Sequence, residues 1–374
     1  MKFNNYLKTT SLAFVAVVLL FSSCKKDRQI EKAAPEISGT KGIYVLSEGL
    51  WNRNNSTIAY YDIAKGTVEA DIYSKVNATN LGETANDLQA YGSKMYCVVS
   101  GIKGSNNSFV DVMSIATGKS LKRISFNGAT NLDIPRYVTF YQNKAYVSRY
   151  DGVISRIDTA TMTVDSELQL MNGTNKAAVL EGITVANGKL YVTNAVNDYA
   201  SPNSLKTKVT VVDLATFKKT KDIEVGPNPS KIATAANGDV YAITWNVYGQ
   251  TNKPTLVRIN SITDAVTQTE EYDLGAITIA KSQAWVTKDL YSGSAEIRSL
   301  NLTTGKLGNA LITDGTVVSS PYGITINPFD NTVVVSNNAG ATKTAFVFGA
   351  DGKKKFSFAT GEGPQTAVFN YSYK

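Results

Sequence analysis

The amino-acid sequence predicts an all-β fold, a seven-bladed β-propeller of four-stranded antiparallel blades, with the first blade closed by the C-terminal strand. Three observations carry this expectation. A strand triplet with an aromatic or apolar centre recurs along the chain, an Asx-type turn recurs in phase with it, and no segment after residue 30 shows a helical period.

The triplet appears at Ile43-Tyr44-Val45, Met95-Tyr96-Cys97, Ala145-Tyr146-Val147, Leu190-Tyr191-Val192, Val240-Tyr241-Ala242, Ala284-Trp285-Val286 and Thr332-Val333-Val334. Between its central residues the steps are 52, 50, 45, 50, 44 and 48 residues, so there are seven units of about 48. The second marker is an Asp or Asn opening a short turn: Asp62 to Gly66, Asp158 to Met162, Asp213 to Phe217, Asn260 to Asp264 and Asn301 to Gly305. Ser114 to Gly118 and Gly349 to Gly352 are looser copies. An Asx side chain bonds the backbone two residues on, and glycine accepts positive φ, so each marker reads as a hairpin turn between two β-rich runs.

Four strands fit within a unit. In the fourth they are 182–185, 190–193, 208–212 and 221–225, with Asn187-Gly188, a strong hairpin signal, joining the first two. A four-stranded antiparallel sheet repeated seven times closes naturally as a ring. A solenoid would instead need capping repeats. The first unit begins at its second strand, near Ile43. Its missing strand is found at the far end, where residues 363–369 parallel residues 226–232, which open the fifth unit. Closure of this kind removes two exposed sheet edges.

The amino terminus reads as an address. Lys2 and Lys8 precede an uncharged apolar run, Leu12 to Phe21, which is too short to span a bilayer as a helix. Ser22-Ser23-Cys24 follows and looks like a lipobox, with Phe21 in place of the usual aliphatic residue. The resemblance implies cleavage before Cys24 and acylation of that residue, a stable lipid anchor to a membrane. The expected organisation is a signal peptide over 1–23, a lipidated Cys and flexible tether over 24–42, and the propeller over 43–374. Lys25-Lys26-Asp27-Arg28 loosely resembles the surface-export signals of some outer-membrane lipoproteins.

The totals exclude several chemistries. The chain has 374 residues and no histidine, which removes Ser-His-Asp and Cys-His catalysis and His-ligated metals or haem. No cofactor is expected and no metal-ligand set is assigned; a calcium ion in an Asp/Asn loop stays open, without EF-hand-like spacing to mark it. Of the two cysteines, Cys24 is explained by the lipobox, so Cys97 is expected as a buried strand residue. The formal charge is +7, and loss of residues 1–23 with their two lysines and no acid leaves +5. No Lys/Arg run interleaved with aromatics points to nucleic acid.

Loop length separates two faces. The first-to-second and third-to-fourth turns are short and share one face. The long second-to-third loops, 48–55, 101–108, 194–206, 245–253 and 288–293, share the other with the blade links. Function concentrates on such loops above a rigid scaffold. The candidate ligand-binding residues there are Trp51, Arg53, Asn54, Asn55, Arg149, Tyr150, Asn194, Asn197, Tyr199, Trp245, Asn246, Tyr248, Tyr291, Asn337 and Asn338, joined from the links by Arg136, Tyr137 and Tyr322. Aromatic faces beside amide and guanidinium donors suit a large amide-rich or hydroxylated ligand, and equally a protein-binding surface.

Tyr191-Val192-Thr193-Asn194 resembles the signature of the YVTN family of seven-bladed propellers, which carries its name from that tetrapeptide; the resemblance covers roughly residues 43–374. Residues 47–62, SEGLWNRNNSTIAYYD, are similar to the opening blade of outer-membrane propeller lipoproteins of gut-type bacteria, with Ser47 where those proteins often have Asn. Some members of that group capture cobalamin and pass it to a TonB-dependent transporter. The resemblance therefore implies a cell-surface lipoprotein of the outer membrane that binds a nutrient, a corrinoid before others, rather than an enzyme. A protein- or glycan-binding scaffold is the alternative. A carboxylate enzyme built on Asp87, Asp133 and Glu181 is the poorest fit, because no spacing pairs these acids and histidine is absent.

Overall fold

Short strands bounded by turn residues make up almost all the regular structure of the described residues. The computed structural model describes residues 36–102, 106–126, 134–195, 206–247, 249–289 and 295–374. Seven four-stranded antiparallel sheets are arranged as the blades of a propeller. Six of them run in chain order from the innermost strand outward. Their innermost strands are Ala85–Tyr91, Pro135–Tyr141, Leu180–Ala186, Pro229–Thr234, Leu274–Ala280 and Pro321–Ile326. Blade 1 is the exception. Its innermost strand is the C-terminal Pro364–Tyr373, paired with Ile37–Ser47, which continues into Thr57–Asp62 and Thr67–Glu69. Adjacent innermost strands contact one another all the way round, blade 7 meeting blade 1 through the C-terminal strand.

The two sequence markers serve one joint. All seven turns end on a residue in the left-handed region: Gly66, Gly118, Met162, Phe217, Asp264, Gly305 and Gly352. The Asx residues cap them, as Asp158 Oδ1 does for the backbone N–H of Thr161 (2.8 Å) and Asn301 Oδ1 for that of Thr303 (2.9 Å). In blades 1, 4 and 5 the triplet's tyrosine is buried between blades and bonds the turn of the next one, whereas the Tyr96 hydroxyl of blade 2 has no partner among the described residues. Tyr44 donates to the Ile115 carbonyl (2.8 Å), Tyr191 to that of Ser261 (3.2 Å) and Tyr241 to that of Leu302 (2.7 Å). In each case the acceptor is the residue after the one that opens the turn. In these three blades the two markers touch.

Three details differ from expectation. In blade 7 the register sets Val334, not Val333, opposite Thr325, the place that Tyr191 holds opposite Thr184. The parallel between residues 363–369 and 226–232 is displaced by two: Val368 pairs with Tyr44 as Ala233 pairs with Tyr241, so Thr366 is the equivalent of Lys231. One short helix, Ile72–Asn77, links blades 1 and 2. Six residues are too few to show a period. The helix is held by its Asp71 cap and by buried Tyr73, whose hydroxyl donates to Asp111 (2.8 Å). A small hairpin, Met171–Asn172 with Asn175–Lys176, also lies between blades 3 and 4. Cys97 is fully buried in its strand as a free thiol, and burial pushes its pKa well up.

Candidate ligand-binding site

At the loop-face end of each innermost strand the pairing with the second strand slips. The shifts fall at Ala85/Asp87, Pro135/Val138, Leu180/Ile183, Pro229/Lys231, Leu274/Ala276 and Pro321/Gly323, and in blade 1 at Val45/Ser47. Bulges at such rims re-aim side chains. Here they turn one equivalent residue of each blade toward the axis: Thr366, Asp87, Tyr137, Gly182, Lys231, Ala276 and Gly323 in blade order. All seven line an axial cavity of about 170 Å³. Four of them are small, which leaves room. Asp87, Tyr137 and Lys231 supply the chemistry.

An arc of alternating aromatic and cationic groups borders this mouth. The Arg136 guanidinium lies 4.7 Å from the Tyr150 ring centroid and 5.9 Å from that of Tyr137. The Lys231 ammonium lies 4.6 Å from the Tyr137 centroid, bonds its hydroxyl, and is 6.0 Å from the Trp245 ring. Trp245 is fixed by its Nε1–H, which donates to the Leu274 carbonyl (2.9 Å). Across the cavity, Tyr322 and the Gln365 amide both donate to Glu48, at the foot of the 48–55 loop.

The carboxylates here have donors. Glu181 takes Arg136 Nε (3.0 Å) on one oxygen and the Tyr150 hydroxyl (2.5 Å) on the other. Burial above all holds the Tyr150 phenol well above the ordinary tyrosine range, so it stays a donor. Asp87 accepts from the Val138 backbone N–H (3.0 Å) and from Gln89 Nε2 (2.9 Å). Burial nevertheless pushes its carboxyl up to about 6, against the lowering effect of those bonds and of Lys231.

Arg136, Tyr137, Tyr150, Trp245 and Tyr322 are thus brought together. Trp51 stands 67% exposed in the 48–55 loop, with the exposed Arg53 and Asn54 beside it. Asn54 takes a left-handed conformation, and Asn55 Oδ1 accepts the Leu50 N–H (2.8 Å), so both help to shape that loop. Other candidates hold the scaffold. Arg149 is buried, with its guanidinium engaged by Asp151, Glu167 and Ser155. Asn194 donates to the Ala178 carbonyl (2.5 Å), and Asn337 and Asn338 accept from the N–H groups of Ser320 and Gly363. The Asn246 carbonyl accepts from Asn228 Nδ2 (3.4 Å). Asn197, Tyr199, Tyr248, Tyr291, Asp133 and Cys24, with the whole of segment 1–23, lie outside the described residues.

Lys231, Glu48 and Gln365 are the site residues that sequence reasoning missed. The signal for Lys231 was present. It stands two residues after the strand-opening Pro229, as Tyr137 stands two after Pro135. Among the described residues no cluster of three or more Cys, Asp or Glu side chains could hold a metal. No described helix is long and apolar enough to cross a membrane.

Residues 41–373 match a family described as a domain of unknown function, DUF5074. A comparison with curated proteins finds no match. Among solved structures, the chain is similar to a candidate 6-phosphogluconolactonase of Bacteroides uniformis, with 13% identity, TM-score 0.62, and coverage of 88% of this chain and 100% of that one. A second candidate 6-phosphogluconolactonase, from Bacteroides fragilis, shares 14% identity at TM-score 0.60, covering 89% and 98%. The hydrazine synthase of Kuenenia stuttgartiensis shares 14% at TM-score 0.52, covering 68% and 73%. At these identities the likeness shows the propeller fold and nothing of activity.

Proposed function

The chain belongs to the DUF5074 family, and we propose that it works as a ligand-binding propeller whose site is the axial mouth of the loop face. The observation that carries this is the convergence of Tyr150, Arg136, Tyr137, Lys231 and Trp245 from blades 3 and 5 onto one rim. Rigid aromatic faces alternating with cations bind well and lose little entropy on doing so. The propeller supplies the rigid frame, and its fold is consistent with a scaffold for a small molecule or for a protein.

The ligand we propose is a corrinoid such as cobalamin, presented to a TonB-dependent transporter by a lipoprotein anchored through Cys24 at the outer membrane. The 47–62 segment and the Cys24 motif support this reading. Ligand sites usually enclose about 300–1,000 Å³. An axial cavity of about 170 Å³ is too small for a corrin ring, so the ring would lie across the rim with one substituent inserted. Titration with cyanocobalamin in a calorimeter is the test. Saturable heat that is weakened at least tenfold by Trp245→Ala supports the reading, and no heat at micromolar protein removes the corrinoid. A protein or glycan partner is the second reading, favoured by the exposed Leu50 and Trp51. It is tested by capture of an outer-membrane partner that survives corrinoid depletion.

A further inference from the structure

Lys231 is half-buried in the axial cavity, beside Tyr137 and within reach of the Trp245 face. Its one hydrogen bond is to the Tyr137 hydroxyl. Among the described residues no carboxylate lies within 4 Å of its ammonium, whereas Arg136 is paired with Glu181 at 3.0 Å. The neighbouring acids are already engaged, Asp87 by Val138 and Gln89 and Glu181 by Arg136 and Tyr150, as is Glu48 across the cavity, by Tyr322 and Gln365. The charges of Glu181 and Asp87 act on the ammonium only from beyond ion-pair distance, so its direct contact is left for a guest to supply. The groups around the ammonium would suit that guest. The Tyr137 hydroxyl lies beside it, and the buried Thr366 hydroxyl, which lines the same cavity, has no partner. On the remaining sides Gly182, Ala276 and Gly323 leave space.

We propose that Lys231 anchors an anionic group of the ligand, a carboxylate or a phosphate, inserted into the axial cavity from the loop face. This rests on the axial mouth being the binding site, but not on the ligand being a corrinoid. The cavity holds a group of that size and excludes the rest of a large molecule, which would lie on the aromatic rim. Lysine suits this role as a compact point charge with three donors.

The test is a thermal-shift titration of the full folded domain with inorganic phosphate and, separately, with acetate, against sodium chloride at matched ionic strength. The expected result is a saturable rise in melting temperature with at least one of the two anions and none with chloride. The apparent Kd should weaken at least tenfold in Lys231→Met and less than threefold in Lys231→Arg. Which anion acts separates phosphate from carboxylate as the inserted group. Two results overturn the proposal: no shift of the wild-type protein by either anion, or equal shifts in wild type and a folded Lys231→Met. Should Lys231→Met not fold, Lys231→Gln takes its place. Cyanocobalamin is titrated in parallel. Corrinoid binding without anion binding would sink the anchor alone, and anion binding without corrinoid binding would sink the corrinoid alone.

Discussion

Asp87 shows what one residue at the axis costs. It is 2% exposed, and burial raises its carboxyl from 3.8 to about 6. A folded-state pKa above the unfolded one means that the native protein binds the proton more tightly. Stability from this group is therefore complete below pH 4 and declines as pH rises from about 4 to 6, after which the penalty is constant. At about 1.4 kcal/mol per pH unit the loss is of order 3 kcal/mol. Asp87→Asn keeps an acceptor for the Val138 N–H and removes the charge. It should raise the melting temperature at pH 8, with the advantage over wild type vanishing near pH 4, in scans taken at both pH values. An advantage independent of pH would refute burial as the cause. Arg149 makes the opposite case. Its guanidinium holds Asp151 and Glu167 with a side chain only 8% exposed. Arg149→Met leaves the mostly buried Asp151 without its cation and should cost about 2–4 kcal/mol of stability, read by denaturant melts.

At the scale of strands and turns, the joint between blades is the tyrosine that reaches across to the next turn. Tyr241→Phe deletes the bond to the Leu302 carbonyl and should cost about 1 kcal/mol while leaving anion and corrinoid titrations unchanged. A shift in ligand affinity would mean that the outer blade and the axis are coupled. Closer in, the approach of blades 7 and 1 leaves no room for a side chain at Gly323. A Cβ on Gly323 would stand 1.9 Å from the Gln365 carbonyl oxygen, which is backbone of the neighbouring blade. Gly323→Ala must push blades 7 and 1 apart. Its expected cost, about 3 kcal/mol, matches a severe overpacking and is measurable as a lowered melting temperature. The same geometry explains what was legible in the sequence. The triplets and Asx turns recur because each blade repeats the same strand and turn, and in three blades the tyrosine and the next turn are bonded, so period alone revealed them. The bulge that faces Asp87, Tyr137 and Lys231 toward the axis leaves no composition signal, because its equivalents are Gly182, Ala276, Gly323 and Thr366. A functional ring whose residue types change from blade to blade is not found by looking for a repeated residue type, only by the offset from a strand-opening proline that Tyr137 and Lys231 share. Arg149, Asn194 and Asn337 have the residue types of a binding surface, but their polar atoms are engaged in building the scaffold, which only coordinates can show.

For the molecule as a whole, the decisive contact is between its two ends. Ile37–Ser47 pairs with Pro364–Tyr373, and the Lys374 N–H closes onto the Glu36 carbonyl (2.9 Å). Ser47 lies opposite Pro364 at the loop face, and Ile37 opposite Tyr373 at the short-turn face. Two consequences follow. The chain enters the propeller at Glu36 from the face opposite the axial mouth, which leaves the mouth clear of the point of entry. The second consequence concerns folding. The strand 364–373 buries Ala367, Val368 and Phe369 in the cores on either side, and without it blade 1 exposes the unpaired edge of Ile37–Ser47 while blade 7 loses the strand packed against Pro321–Ile326. Deleting residues 364–374 should therefore abolish the single cooperative melt and produce aggregation on a sizing column. Val368→Asp, which puts an uncompensated charge in the blade 1–2 core, should do the same more mildly, by about 3–5 kcal/mol. The ring argument makes a sharper demand. Adding the separate peptide 361–374 to the deleted chain should restore the melt and the monomeric elution, because the vacant strand position is defined on one side by Ile37–Ser47 and on the other by Pro321–Ile326. A truncated chain that melts cooperatively unaided, as a monomer, would show that six blades and a partial seventh close without the terminal strand, and the joined ends would then be an ornament of the fold rather than its lock.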